Sequence, residues 1–99
     1  MYARLVSVQI EPNRVDECIA VFREKNAVGL AAQPGFHKVY YFMNRRTGKV
    51  TSVTFWNTKE DEKASRENIA RLIDNMGDLL VAEEVHQETL EVVHQYPQT

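Results

Sequence analysis

The sequence predicts an α+β chain of the ferredoxin-like type: a βαββαβ sandwich whose helices cover one face of a four-stranded antiparallel sheet. Three observations lead there. Each of two helical patterns lies between two strand patterns. A short polar segment, Asn44–Lys49, joins the middle strands as a hairpin. No linker, repeat or low-complexity stretch interrupts the chain, so residues 1–99 form a single domain. Right-handed crossovers around a hairpin then give the sandwich.

The elements follow in order. Residues 2–10 alternate as a strand, with Arg4, Val6, Val8 and Ile10 on one face and Leu5, Ser7 and Gln9 on the other. Glu11-Pro12-Asn13 stops it, because proline cannot donate to a ladder and suits a helix entrance. Residues 14–32 carry Val15, Cys18, Ile19, Phe22 and Gly29 on one stripe, with Asn26 near its middle, and Pro34-Gly35 ends the helix. Residues 36–43 and 50–57 are the hairpin strands, with Gly48 the positive-φ turn residue. Thr58 caps a second helix over residues 59–80, with acids in its first turn and Ile69, Leu72, Ile73, Met76 and Leu80 as its apolar stripe. Residues 85–95 make the last strand, with His86, Leu90, Val92 and His94 on one face.

Composition narrows the function classes. The 43% hydrophobic and 26% charged fractions are those of a globular chain and argue against disorder. A net charge of -2 gives no footprint for nucleic acid or an anionic membrane. One cysteine excludes an intrachain disulfide framework and any cysteine-rich zinc module. No apolar run approaches the ~18 residues of a membrane span. Met1 leads straight into a strand rather than a signal peptide, so the expected location is cytoplasmic. His86 and His94 lie about 26 Å apart on one strand at ~3.3 Å per residue, and no acidic cluster joins them, so no metal site is expected. Phosphate loops, dinucleotide fingerprints and nucleophile elbows are absent from the sequence.

Strand parity assigns the two sheet faces. With equal hairpin arms, Tyr41 opposes Ser52, Val39 opposes Thr54 and His37 opposes Trp56, all toward the helices. The other face carries Phe36, Tyr40, Phe42, Val53 and Phe55. A sheet with helices on one side presents a polar second face to water, and this one is apolar. The expectation is a homodimer, two sheets face to face through Tyr40, Phe42, Val53 and Phe55. The helix-facing side mixes His37, Tyr41, Ser52, Thr54 and Trp56 with valines, which points to buried hydrogen bonds or a small cavity with oriented polar groups.

Pro34-Gly35-Phe36, a strand, Thr47-Gly48, then Ser52-Val53-Thr54-Phe55-Trp56-Asn57-Thr58 and an acidic helix start with Ala64-Ser65 resemble the antibiotic-biosynthesis-monooxygenase-like group. The resemblance implies a dimeric α+β barrel, a ferredoxin-like subunit paired through its sheets. Characterised members include cofactor-independent oxygenases of aromatic polyketides and haem-degrading oxygenases. The haem-degrading type uses an Asn on the first strand, a Trp near the end of the third and a His on the second helix. Trp56 alone matches; the other two places fall near Val6 and Arg66. The function implied is a cofactor-independent monooxygenase, with no metal or prosthetic group, acting on a small planar phenolic or quinone-like molecule. The alternative is a non-enzymatic, small-molecule-binding or stress-associated dimeric barrel.

Candidate roles follow. Trp56 stacks a planar ligand or donates its indole N–H. His37 and Tyr41 supply a proton acceptor and donor beside it, since a cofactor-free oxygenase must deprotonate its substrate before oxygen accepts an electron. Asn26 orients a substrate carbonyl, Thr54 lines the same space, and Arg66 holds a carboxylate or phenolate. Cys18, on an apolar stripe, is an inert core residue.

Overall fold

The computed structural model describes residues 1–81 and 85–97. Strands β1 (Tyr2–Gln9), β2 (Phe36–Asn44), β3 (Lys49–Trp56) and β4 (His86–Glu91) form one sheet in the order β2-β3-β1-β4, every neighbour antiparallel. This is the βαββαβ ferredoxin-like fold. The first helical segment is α1 (Val15–Val21), a π-helical turn (Phe22–Asn26) and α2 (Ala27–Ala31). The second is α3 (Lys59–Ser65), a 3-10 turn (Arg66–Asn68) and α4 (Ile69–Met76). Proline 12 opens a 3-10 turn before α1, and the Thr58 hydroxyl accepts from the Asp61 N–H at 3.0 Å as the cap of α3. The expected last strand ends early, at Glu91, and the residues 82–84 before it lie outside the description.

The core lies between sheet and helices, where Val8, Ile10 and Val50 meet Val15, Cys18, Phe22, Met76 and Leu79. The opposite sheet face is open. Tyr40, Phe42 and Leu90 are 51%, 55% and 42% exposed, and Val53 and Phe55 lie between them half-buried. Leu90 pairs with Ala3, so β4 adds to the apolar face.

The hairpin register corrects one expectation. Tyr41 opposes Ser52 and Val39 opposes Thr54, as the equal-arm hairpin requires. Phe36, however, opposes Trp56, and the register shifts between Phe36 and Lys38. His37 is thus the extra residue of a β-bulge and is exposed. The extra residue reverses the parity at the start of β2. Phe36 turns inward and meets the Trp56 ring edge-on, with centroids 5.6 Å apart. An apolar ring thereby takes the inward, half-buried place, and the imidazole goes to water.

Candidate functional site

A cavity of about 50 Å³ lies between the sheet and the helices. Its floor is Arg4, Val6 and Val8 of β1, Val50, Ser52 and Thr54 of β3, and Tyr41 of β2. Its roof is Phe22, Asn26 and Leu30 from the first helical segment and Ile69, Leu72, Ile73 and Met76 from the second. At about 10–15 Å³ for each water-sized group, it has room for roughly three to five of them. A second, open groove of about 470 Å³ runs over Ile19, Phe22, Arg23, Tyr41, Met43 and Arg45. Phe22 and Tyr41 line both spaces, and their rings stack with centroids 4.3 Å apart and planes 10° from parallel. The stacked pair therefore borders both the groove and the cavity.

The π turn sets the roof. The Ala27 N–H bonds back to the Phe22 carbonyl, five residues away, which widens the turn. Phe22 and Asn26, at the two ends of that turn, are both buried and both line the cavity. Turns of this kind recur at functional sites. Asn26 is held from the second helical segment: its Nδ2 donates to the Leu72 carbonyl at 3.3 Å, and its Oδ1 accepts from Asn75 Nδ2 at 2.8 Å.

Tyr41 has a buried hydroxyl with no hydrogen-bond partner among the described residues. Burial, with a smaller contribution from Cys18, pushes its pKa up to about 12. At neutral pH it is a proton-bearing donor without an acceptor. Burial likewise pushes the Cys18 thiol up to about 11, the opposite of an activated thiolate.

The structure brings Asn26, Tyr41 and Thr54 to one cavity. It leaves three other predicted site residues outside. Trp56 is fully buried but is not among the lining residues; its Nε1 donates to Thr54 Oγ1 at 2.9 Å, and the Thr54 hydroxyl donates onward to the Arg4 carbonyl at 3.3 Å. It stands beside the floor, on the same sheet face as Thr54. His37 stands on the bulge, away from the lining, so the imidazole expected beside Trp56 is not there. Arg66 reaches outward: its side chain is 44% exposed, and its Nε donates to the buried Glu62 carboxylate at 2.9 Å. The 3-10 turn begins at Arg66, so it does not continue the inward stripe of α4.

Sequence reasoning missed Arg4. It is 2% exposed and lines the cavity. Its guanidinium carbon sits 5.2 Å from the centre of the Trp56 ring, and its Nη1 donates to Ser65 Oγ at 2.6 Å. The available signal was its parity with Val6, Val8 and Ile10, which puts a charge on an inward stripe. Glu62, also fully buried, is satisfied by Arg66 and by the Thr89 hydroxyl at 2.6 Å.

Known proteins can now be set beside this geometry. The family model for antibiotic biosynthesis monooxygenases matches residues 1–70. The chain belongs to the antibiotic biosynthesis monooxygenase family. A search of the curated proteins found no match. Among solved structures, the chain is similar to SnoaB, a cofactor-independent oxygenase from Streptomyces nogalater, at 14% identity and a TM-score of 0.73, covering 98% of this chain and 97% of that one. It is also similar to the monooxygenase ActVA-Orf6 of Streptomyces coelicolor, solved with the ligand nanaomycin D, at 9% identity and a TM-score of 0.74, covering 95% of this chain and 88% of that one. At these identities the likeness is one of fold. No helix among the described residues is long and apolar enough to cross a membrane, and no group of three or more His, Cys, Asp or Glu side chains among them gathers as for a metal ion.

Proposed function

We propose that the protein is a cofactor-independent monooxygenase that oxidises a small planar phenolic or quinone-like molecule at the cavity between sheet and helices. The observation that carries this reading is the pair of buried polar atoms without partners among the described residues, Tyr41 Oη and Arg4 Nε, on side chains that line one mostly apolar space. Unsatisfied buried polar atoms each disfavour folding by about 1–3 kcal/mol, and a ligand that bonds to them removes the penalty. Family membership and the named oxygenases of the same fold support the reaction class.

The chemistry needs no outside reductant. A reduced aromatic substrate, once deprotonated, gives an electron to oxygen. One oxygen atom ends as a new carbonyl in place of two substrate hydrogens, and the other leaves as water. Neutral Tyr41 donates a hydrogen bond to the substrate oxygen on which charge builds, and Asn26 and Thr54 fix the ring edge. A cavity of about 50 Å³ is smaller than the ~150 Å³ that benzene occupies in an engineered cavity. Only the edge of a ring system enters, therefore, and the rest lies beside the Phe22–Tyr41 pair in the adjoining groove.

The open sheet face supports a homodimer through Tyr40, Phe42, Val53 and Phe55, two-fold and sheet to sheet. The small volume favours one rival, a non-enzymatic binder of small molecules. Oxygen-electrode assays with dihydroxynaphthalene separate the two. The oxygenase consumes oxygen in step with substrate, and Tyr41→Phe lowers the rate tenfold or more, about 1.4 kcal/mol of barrier. Substrate binding without oxygen uptake selects the rival.

A further inference from the structure

We propose that Arg4 is an oxyanion-binding residue, so that the cavity takes the ionised oxygen of its ligand, whether a phenolate, an enolate or a carboxylate. The inference rests on the cavity being the functional site and specifies what it binds. Arg4 lines that cavity at 2% exposure, and its Nε has no acceptor among the described residues. Both of its side-chain hydrogen bonds leave from Nη1, to Ser65 Oγ at 2.6 Å and to the Glu62 carbonyl at 3.4 Å. Trp56 packs against the guanidinium at 5.2 Å. The group is thus held in place through Nη1, with the buried Nε–H left unspent.

Charge counting points the same way. Glu62 is the carboxylate that acts on Arg4, and it must also serve Arg66, whose Nε it binds at 2.9 Å. Two guanidinium groups thus share one buried carboxylate. Arg66 reaches water, with 44% of its side chain exposed, whereas Arg4 does not. Among the described residues, the uncompensated positive charge is the one on the cavity wall. A buried charge without a partner is strongly disfavoured, and an anionic oxygen beside Nε relieves it with a charge-assisted bond. The volume suits such a head group, a few heavy atoms rather than a whole ring.

Two probes test this on the full chain. Para-nitrophenol reports its own ionisation by visible absorbance. Acetate fits the cavity as it stands, and the protein's one tryptophan, stacked on Arg4, reports its binding by fluorescence. The expected result is that bound nitrophenol ionises at least one pH unit lower than free, a tenfold change in its ionisation constant, and that Arg4→Met abolishes the shift while Arg4→Lys retains part of it. Acetate competing with the phenol extends the site to carboxylates; phenol binding alone restricts it to phenolates and enolates, and acetate binding alone to carboxylates. A bound phenol that titrates at or above its free value without acetate binding overturns the proposal. So does binding of neither probe, or binding unchanged in folded Arg4→Met. If that variant does not fold, the wild-type titrations decide. Oxygen uptake measured in parallel keeps the readings apart: anion binding without turnover removes the oxygenase, and turnover without either anion removes the Arg4 site.

Discussion

At the scale of single residues, the candidate site holds two buried polar atoms without partners among the described residues, Tyr41 Oη and Arg4 Nε. Tyr41 is the clearest case. Its hydroxyl has no partner among the described residues, so Tyr41→Phe is expected to leave the protein as stable or more stable, by up to about 1 kcal/mol in chemical denaturation, while lowering turnover. Loss of stability in that variant would mean the hydroxyl is bonded in solution. Tyr41 and Cys18 also set the alkaline limit. Their folded pKa values are raised from 10.0 to about 12 and from 9.0 to about 11, so the folded state favours the protonated forms. The stability they contribute is complete below pH 9 and is lost as pH rises through about 11–12. Tyr41→Phe should move the alkaline unfolding midpoint upward; an unmoved midpoint would show that the phenol does not titrate with unfolding. In the sequence, Tyr41, Thr54 and Asn26 were legible as inward polar positions, because alternation and helical stripe give facing directly. Trp56 was legible as inward but not as a covered support, since its depth depends on Phe36 and Arg4 packing over it.

Two one-residue irregularities decide what the elements present. The order of elements followed from periodicity, and two of the three hairpin pairs from an equal-armed turn, but periodicity presumes uninterrupted counting. The bulge at His37 adds a residue to β2, and the π turn adds one to the first helical segment. Neither disturbs hydrophobic spacing enough to be seen in the sequence, yet one removes the predicted imidazole from the site and the other turns Phe22 and Asn26 onto the cavity. The bulge follows Gly35, at φ +77°, whose carbonyl accepts from the Asn57 N–H at 2.9 Å. A Cβ there would collide with the Asp61 carboxylate. Gly35→Ala is therefore expected to destabilise the fold by about 1–3 kcal/mol in thermal or chemical unfolding. A neutral result would mean that the β2 entrance adapts and does not hold the bulge. Arg66 starts a 3-10 turn, and its half-exposed side chain pairs with Glu62 outside the cavity lining.

For the molecule as a whole, the sandwich closes one face and leaves the other apolar. Phe55 lies at the centre of the open face, within 6.2 Å of Tyr40 ring to ring, with the Lys38 ammonium 5.2 Å from its centroid. Light scattering is expected to give twice the 11.4 kDa chain mass, and Phe55→Asp to halve it or prevent soluble folding. A folded variant of unchanged mass would refute the sheet-to-sheet interface. The central claim concerns the other face, where one cavity serves as the site of chemistry, and filling that cavity tests it most directly. Ser52 lies on its floor, paired with Val6 on one side and Tyr41 on the other. Ser52→Leu should occupy the space without exposing core. The expected result is an unchanged or higher Tm together with at least tenfold loss of both oxygen uptake and probe binding. Full activity in the folded, filled variant would contradict it.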